Sequence, residues 1–164
     1  MGKKLGCGSV ILGTWIVGIV AVIAIVCLSW YGSIKQTQED LTWLRLHVML
    51  NTDVLNDWNA KLQDLERSSR EISQRWFNRA QREHHATLHE DLQSLRRELD
   101  SFTNEHERLQ NRLSHIVALY AEGHDMHSRV RLLRNDYNRW VEDTKKYTPR
   151  YNEFVERWNS FYQQ

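Results

Sequence analysis

Leu41–Trp76 reads "LTWLRLHVMLNTDVLNDWNAKLQDLERSSREISQRW", and its spacing decides the fold class. Steps of three and four from Leu41 reach Leu44, Val48, Asn51, Leu55, Trp58, Leu62, Leu65, Ser69, Ile72 and Trp76. Nine of these eleven positions are apolar, and the residues between them are mostly polar or charged. That is the seam of a coiled coil or of a narrow bundle helix, where a 3.5-residue repeat keeps one face against a partner.

A second seam follows at Leu88, Leu92, Leu95, Leu99, Phe102, His106, Leu109, Leu113, Ile116 and Tyr120. The two seams are out of phase, because the first continues from Trp76 onto Arg79, Glu83 and Ala86. Between them lies the polar stretch "NRAQREHHATLHE", ending in Thr87-Leu88-His89-Glu90, a Ser/Thr-x-x-Glu capping box. This predicts a helix end near residues 82–87 and a hairpin. The rival is one helix over 32–122 with a stutter in its repeat, since no Gly or Pro enforces a turn between Gly32 and Gly123. Such a rod would be roughly 135 Å long. Asn51 and His106 are polar residues on the seams, where they cost stability but can fix register or oligomer state.

Gly123, with His124 and Asp125 behind it, is a helix stop followed by a cap. A third seam runs through Met126, Val130, Leu133, Tyr137 and Trp140/Val141. Thr148-Pro149 reads as an N-cap with proline at the first helical position. A last short helix carries Tyr151, Phe154/Val155, Trp158 and Phe161/Tyr162. The fold class is all-α, with body helices at about 33–82, 87–122, 125–147 and 149–162.

Upstream of the body, no charged side chain occurs from Leu5 to Ile34, and "SVILGTWIVGIVAVIAIVCLS" is almost wholly apolar. About 20 residues at ~1.5 Å rise span the ~30 Å of a bilayer's hydrocarbon. Trp30 and Tyr31 follow, and amphipathic aromatics favour the headgroup level. The expectation is a short tail at 1–8, a single transmembrane helix at 9–31 and a body at 32–164. A cleaved signal peptide fits less well, because the run is long and Cys27-Leu28-Ser29-Trp30 lacks a small-x-small cleavage site. Lys3 and Lys4 before the segment favour a cytoplasmic N-terminus and an extracytoplasmic body.

The body holds 20 Lys and Arg against 21 Asp and Glu, a balance unsuited to a nucleic-acid surface. Cys7 and Cys27 both lie in or beside the apolar segment, so the body has no disulfide framework. No phosphate loop, nucleophile elbow or body cysteine suggests an enzyme, and no cofactor is expected. His84, His85 and His89 are the densest histidine group, with His85 and His89 one turn apart. They could share a metal ion if a third ligand came from elsewhere, although polar helix-end residues are the commoner meaning.

"YNRWVE" at Tyr137–Glu142 is echoed by "YNEFVE" at Tyr151–Glu156, fourteen residues on. Two heptads bring corresponding side chains back to one face. Tyr137, Trp140, Tyr151, Phe154 and Trp158 therefore form either a packing stripe or an aromatic partner-binding surface. The run "LLRNDYNRWVED", with "RYNEFVERWNSF" after it, resembles the C-terminal helix of the LemA family of bacterial membrane proteins. The plan of one membrane helix, an aromatic exit ("SWYGS") and a helical body is similar too. The resemblance covers the anchor and about the last 30 residues, and it implies no defined catalytic residues.

The reading that follows is a membrane-anchored helical scaffold or accessory subunit of an envelope complex. Its partners would be membrane lipid, other membrane or envelope proteins and a second copy of itself. A spanin-like periplasmic stalk that bridges or disrupts membranes is the first alternative, and a metal-binding protein using the histidine cluster is the second.

Overall fold

The structure, a computed structural model, describes residues 7–73 and 79–162, with side chains for 21–72 and 79–162. The described residues form four helices: α1 Cys7–Ser73, α2 Arg79–Ala121, α3 His127–Lys145 and α4 Tyr147–Tyr162. Regular structure among them is helical throughout, as the two periodicities require.

The hairpin reading holds, and the continuous rod does not. α2 folds back along α1: Ser69 meets His89, Asn59 meets Arg96 and Val48 meets His106, so partners converge in number toward the tip. α3 then returns along α2, through Arg112 with Asp136 and Trp140 with Phe102. It runs parallel to α1, with Thr37 beside His127 and Asp40 beside Arg134. The body is an up-down-up bundle of three helical strands, the third made of α3 and α4. One hydrophobic core joins all four helices, from Leu41, Leu44 and Val48 through Leu92, Leu99 and Leu113 to Tyr137, Phe154 and Trp158. Each such side chain contributes about 1.5–3 kcal/mol on leaving water.

The helix boundaries differ from expectation at three places. The apolar segment and the first body helix are one element, because α1 runs unbroken through Gly32. A lone glycine costs a helix only about 1 kcal/mol and does not stop it. The helix start expected at 82–87 comes earlier: α1 is described as far as Ser73, and α2 is already helical from Arg79. Thr87 is therefore inside α2, and its hydroxyl donates to the carbonyl of Glu83 at 3.2 Å instead of capping. An Arg79–Glu83 ion pair at 3.1 Å supports that polar first turn. The seam residue Trp76 lies outside the described residues.

The third difference is at Thr148-Pro149. α4 starts two residues earlier, at Tyr147, after the single residue Lys146, which keeps helical angles (φ −73, ψ −20). Pro149 thus sits within the first turn, where its missing N–H is not needed. Its ring excludes a continuous helix through 145–149, and the break falls just upstream.

The stop at Gly123 is as the sequence indicates. His124 N–H donates to Leu119 at 3.1 Å and Gly123 N–H to Tyr120 at 3.0 Å, a Schellman closure with Gly123 at φ 87. Asp125 Oδ1 accepts the N–H of His127 at 3.1 Å, so it caps from one residue before the N-cap position, Met126.

Among the described residues no helix is long and apolar enough to cross a membrane. Of the segment 9–31, the side chains before residue 21 lie outside the described residues, as does the tail before Cys7. From residue 22, Val22, Ile23, Ile25, Val26, Leu28, Trp30 and Tyr31 are all exposed.

A Cβ at Gly123 would meet nothing within 4 Å, so a side chain there pays only for the left-handed backbone. Gly123→Ala should lower unfolding free energy by about 1–2 kcal/mol in urea titration, with the helical spectrum of the native state unchanged.

Candidate functional site

The aromatic echo is a core stripe. Tyr137 is 0% exposed, Phe154 1%, Trp140 3% and Trp158 4%, while Tyr151 is partly buried against the same core. Of the two meanings open in the sequence, the packing stripe describes these side chains within the folded chain, where they lie in the common core and not on a surface. The heptad continues unbroken across Lys146, through Thr144, Tyr147, Tyr151, Phe154, Trp158 and Phe161. A one-residue break with helical angles shifts the axis but not the phase. Tyr147, fully buried and 4.9 Å from the ring of Trp58, belongs to this stripe. Its place seven residues after Trp140 was readable but obscured by the expected cap at Thr148.

Within this core, three polar contacts close a ring around the bundle. Asn51 on α1 donates its amide N–H to the hydroxyl of Tyr137 on α3. Trp140 on α3 donates its indole N–H to the carbonyl of Phe102 on α2 at 3.1 Å. His106 on α2 contacts the carbonyl of Val48 on α1 at 3.2 Å. A carbonyl only accepts, so Nε2 of His106 carries the proton. The seam residues Asn51 and His106 thus find their partners in their own chain. His106 is buried, its ring 5.0 Å from that of Trp140, and burial pushes its pKa below 6.5 against the pull of Val48's carbonyl and of Glu107. Burial and the hydrogen bond from Asn51 act oppositely on Tyr137, and burial prevails to raise its pKa.

A second cluster stands where α1 enters the bundle. Asp40, 5% exposed, pairs with Arg134, whose guanidinium lies 4.7 Å over the ring of Trp43. Trp43 in turn stacks on His47 at 3.9 Å and meets Tyr137 edge-on at 5.8 Å. Thr37, buried, donates to the carbonyl of Ser33 at 2.8 Å and lies 3.1 Å from Nδ1 of His127. A seam that starts at Leu41 leaves these residues out; four residues upstream it passes through Thr37.

The histidine group is divided by its packing. The ring of His84 lies 4.8 Å from Phe161, and Nδ1 of His89 lies 3.3 Å from the hydroxyl of Ser69. His85 is 6.5 Å from His89 ring to ring; burial lowers its pKa, opposed by a hydrogen bond to the Ser69 backbone. Among the described residues no three His, Cys, Asp or Glu side chains are placed to hold a metal ion.

The exposed apolar surface lies elsewhere. Leu46, Met49, Leu50 and Val54 on α1 are 42–59% exposed and face away from the inner seam. Leu46, Leu50 and Val54 recur every four residues between seam positions, a second stripe that the single-seam reading passed over. Comparison of the chain with protein families, with curated proteins and with solved structures finds no match.

These buried polar contacts have two measurable consequences. Asn51→Leu should lower stability by about 1–3 kcal/mol, by leaving the Tyr137 hydroxyl buried without its partner, and sedimentation should show no change in the number of chains per particle. His106 and His85 both have folded pKa values below 6.5. Their contribution is therefore fully present above pH 6.5 and is lost as pH falls below it. The thermal midpoint should drop between pH 7 and pH 5, and His106→Gln should flatten part of that drop.

Proposed function

We propose that this chain is a single-pass membrane protein whose helical bundle acts by binding other proteins, as a scaffold or accessory subunit of an envelope complex. The observation that carries the reading is the continuity of α1. Its N-terminal part exposes Val22, Ile23, Ile25, Val26, Leu28, Trp30 and Tyr31, and its C-terminal part is the first helix of the bundle. Upstream of residue 22 the sequence stays uncharged as far as Leu5. A soluble chain has no reason to leave such a surface bare, whereas a bilayer covers it. Lys3 and Lys4 support a cytoplasmic N-terminus and a body on the other side. The LemA resemblance implies the same plan.

Membrane lipid is then the first partner, and an envelope protein reaching the stripe Leu46, Met49, Leu50 and Val54 is the second. A further copy of the chain is the alternative occupant of that stripe. The aromatic echo takes no part, since it is used up in the core. A spanin-like stalk ranks below this reading because it calls for an extended parallel dimer, and α2 folds back on α1.

The chain should stay in the membrane pellet through alkaline carbonate extraction, and protease added to spheroplasts should remove the body. Release by carbonate, or a protected body, would contradict the anchor or its orientation. The pair Leu46→Glu and Leu50→Glu should keep the thermal midpoint, as exposed substitutions do. It should also lose most of any envelope protein photo-cross-linked from position 54 in the wild type. Equal cross-linking in both would remove the stripe from the interface.

A further inference from the structure

A cavity of about 330 Å³ opens where α1 leaves its exposed apolar stretch and the α2–α3 turn comes down beside it. Trp30 and Tyr120 give it two aromatic walls, and Ile34 adds an apolar one. Thr37 forms part of its floor, with its hydroxyl already engaged by the Ser33 carbonyl and His127. The turn contributes Asp125, one of whose oxygens accepts the His127 N–H. Its other oxygen has no partner among the hydrogen bonds and ion pairs of the described residues. Among the described residues no lysine or arginine lines the cavity, and His124, which also lines it, faces Glu122 at 3.7 Å.

The chemistry of this lining is that of a cation acceptor. Aromatic faces attract an ammonium group electrostatically, and a carboxylate beside them pairs with it. The cavity also has a fixed level. On the membrane reading above, on which this inference rests, Trp30 marks the headgroup layer. One and two turns below it on the same face of α1, Val26 and Ile23 are 60% and 55% exposed, an apolar track leading down from the cavity.

We propose that this cavity binds the primary-ammonium head of a membrane phospholipid, with an acyl chain lying along Val26 and Ile23. Bound there, the lipid would bridge α1 and the α2–α3 turn and fix the bundle's height and tilt over the bilayer.

The test uses the full chain in non-ionic detergent and native mass spectrometry. Phosphatidylethanolamine and phosphatidylglycerol with identical acyl chains are offered separately, and free ethanolamine is added as a competitor. One phosphatidylethanolamine should be retained, with phosphatidylglycerol about fivefold weaker or more. Asp125→Asn keeps an oxygen for the His127 N–H and removes the charge, and it should weaken phosphatidylethanolamine by a similar factor. Trp30→Leu, at an exposed position, should do likewise. Equal retention of the two lipids, or retention untouched in both variants, would overturn the site. Displacement by ethanolamine at the lipid's own concentration would overturn the lipid as ligand, leaving a site for a free amine. Release of the chain by carbonate would overturn the anchor, whereas loss of lipid preference in a chain that resists carbonate overturns this site alone.

Discussion

The bundle depends on the ring of three hydrogen bonds in its core, in which each helix donates to the next. Asn51 on α1 reaches Tyr137 on α3, Trp140 on α3 reaches the backbone of α2, and His106 on α2 reaches the backbone of α1. Leucine seams alone tolerate sliding by a heptad, because one leucine layer resembles the next. A slip here would leave buried donors and acceptors without partners, each at a cost of about 1–3 kcal/mol. The ring therefore selects one register among several of similar apolar burial, the use of buried polar groups best attested in coiled coils.

From that layer the rest of the structure follows outward in two directions. Toward the tip, the aromatic stripe of α3 and α4 packs beside the leucines of α1 and α2, running through Phe154 and Trp158 to Phe161. Toward the apolar segment, the Asp40–Arg134 pair and Thr37 with His127 tie α3 to α1. Between Tyr31 and the last residue of α1 lie some 40 residues, so the bundle extends about 60 Å from the exposed apolar stretch. That geometry sets the exposed apolar stretch at one end of the bundle and the hairpin tip at the other.

Much of this was legible in the residues. The inner seams of α1 and α2, the stop at Gly123 and the two-heptad echo all rest on periodicity or on backbone conformation, which sequence reports directly. Boundaries were less legible. The capping box at Thr87 is a local signal, and it was overridden because the second seam extends upstream to His85 and favours more helix. Likewise Pro149 marks a break but not which residue before it absorbs the change. Pairings such as Asn51 with Tyr137 or Asp40 with Arg134 were not legible, because they join residues far apart in sequence and depend on the register between helices. The outer stripe at Leu46, Leu50 and Val54 was present in the sequence, but a search for one seam per helix conceals a second face.

α1 and α2 form an antiparallel hairpin locked at one register and not a single rod. Spin labels at Arg45 and Asn111, both exposed, test it in the full chain with Cys7 and Cys27 replaced by serine. Adjacent helices lie 8–10 Å apart, so the hairpin predicts a narrow electron–electron distance on the order of 20 Å once label tethers are added. A distance on the order of 100 Å, the separation along one continuous helix, would rule this locked hairpin out. So would a broad distribution with several maxima, which would mean that the register is not fixed.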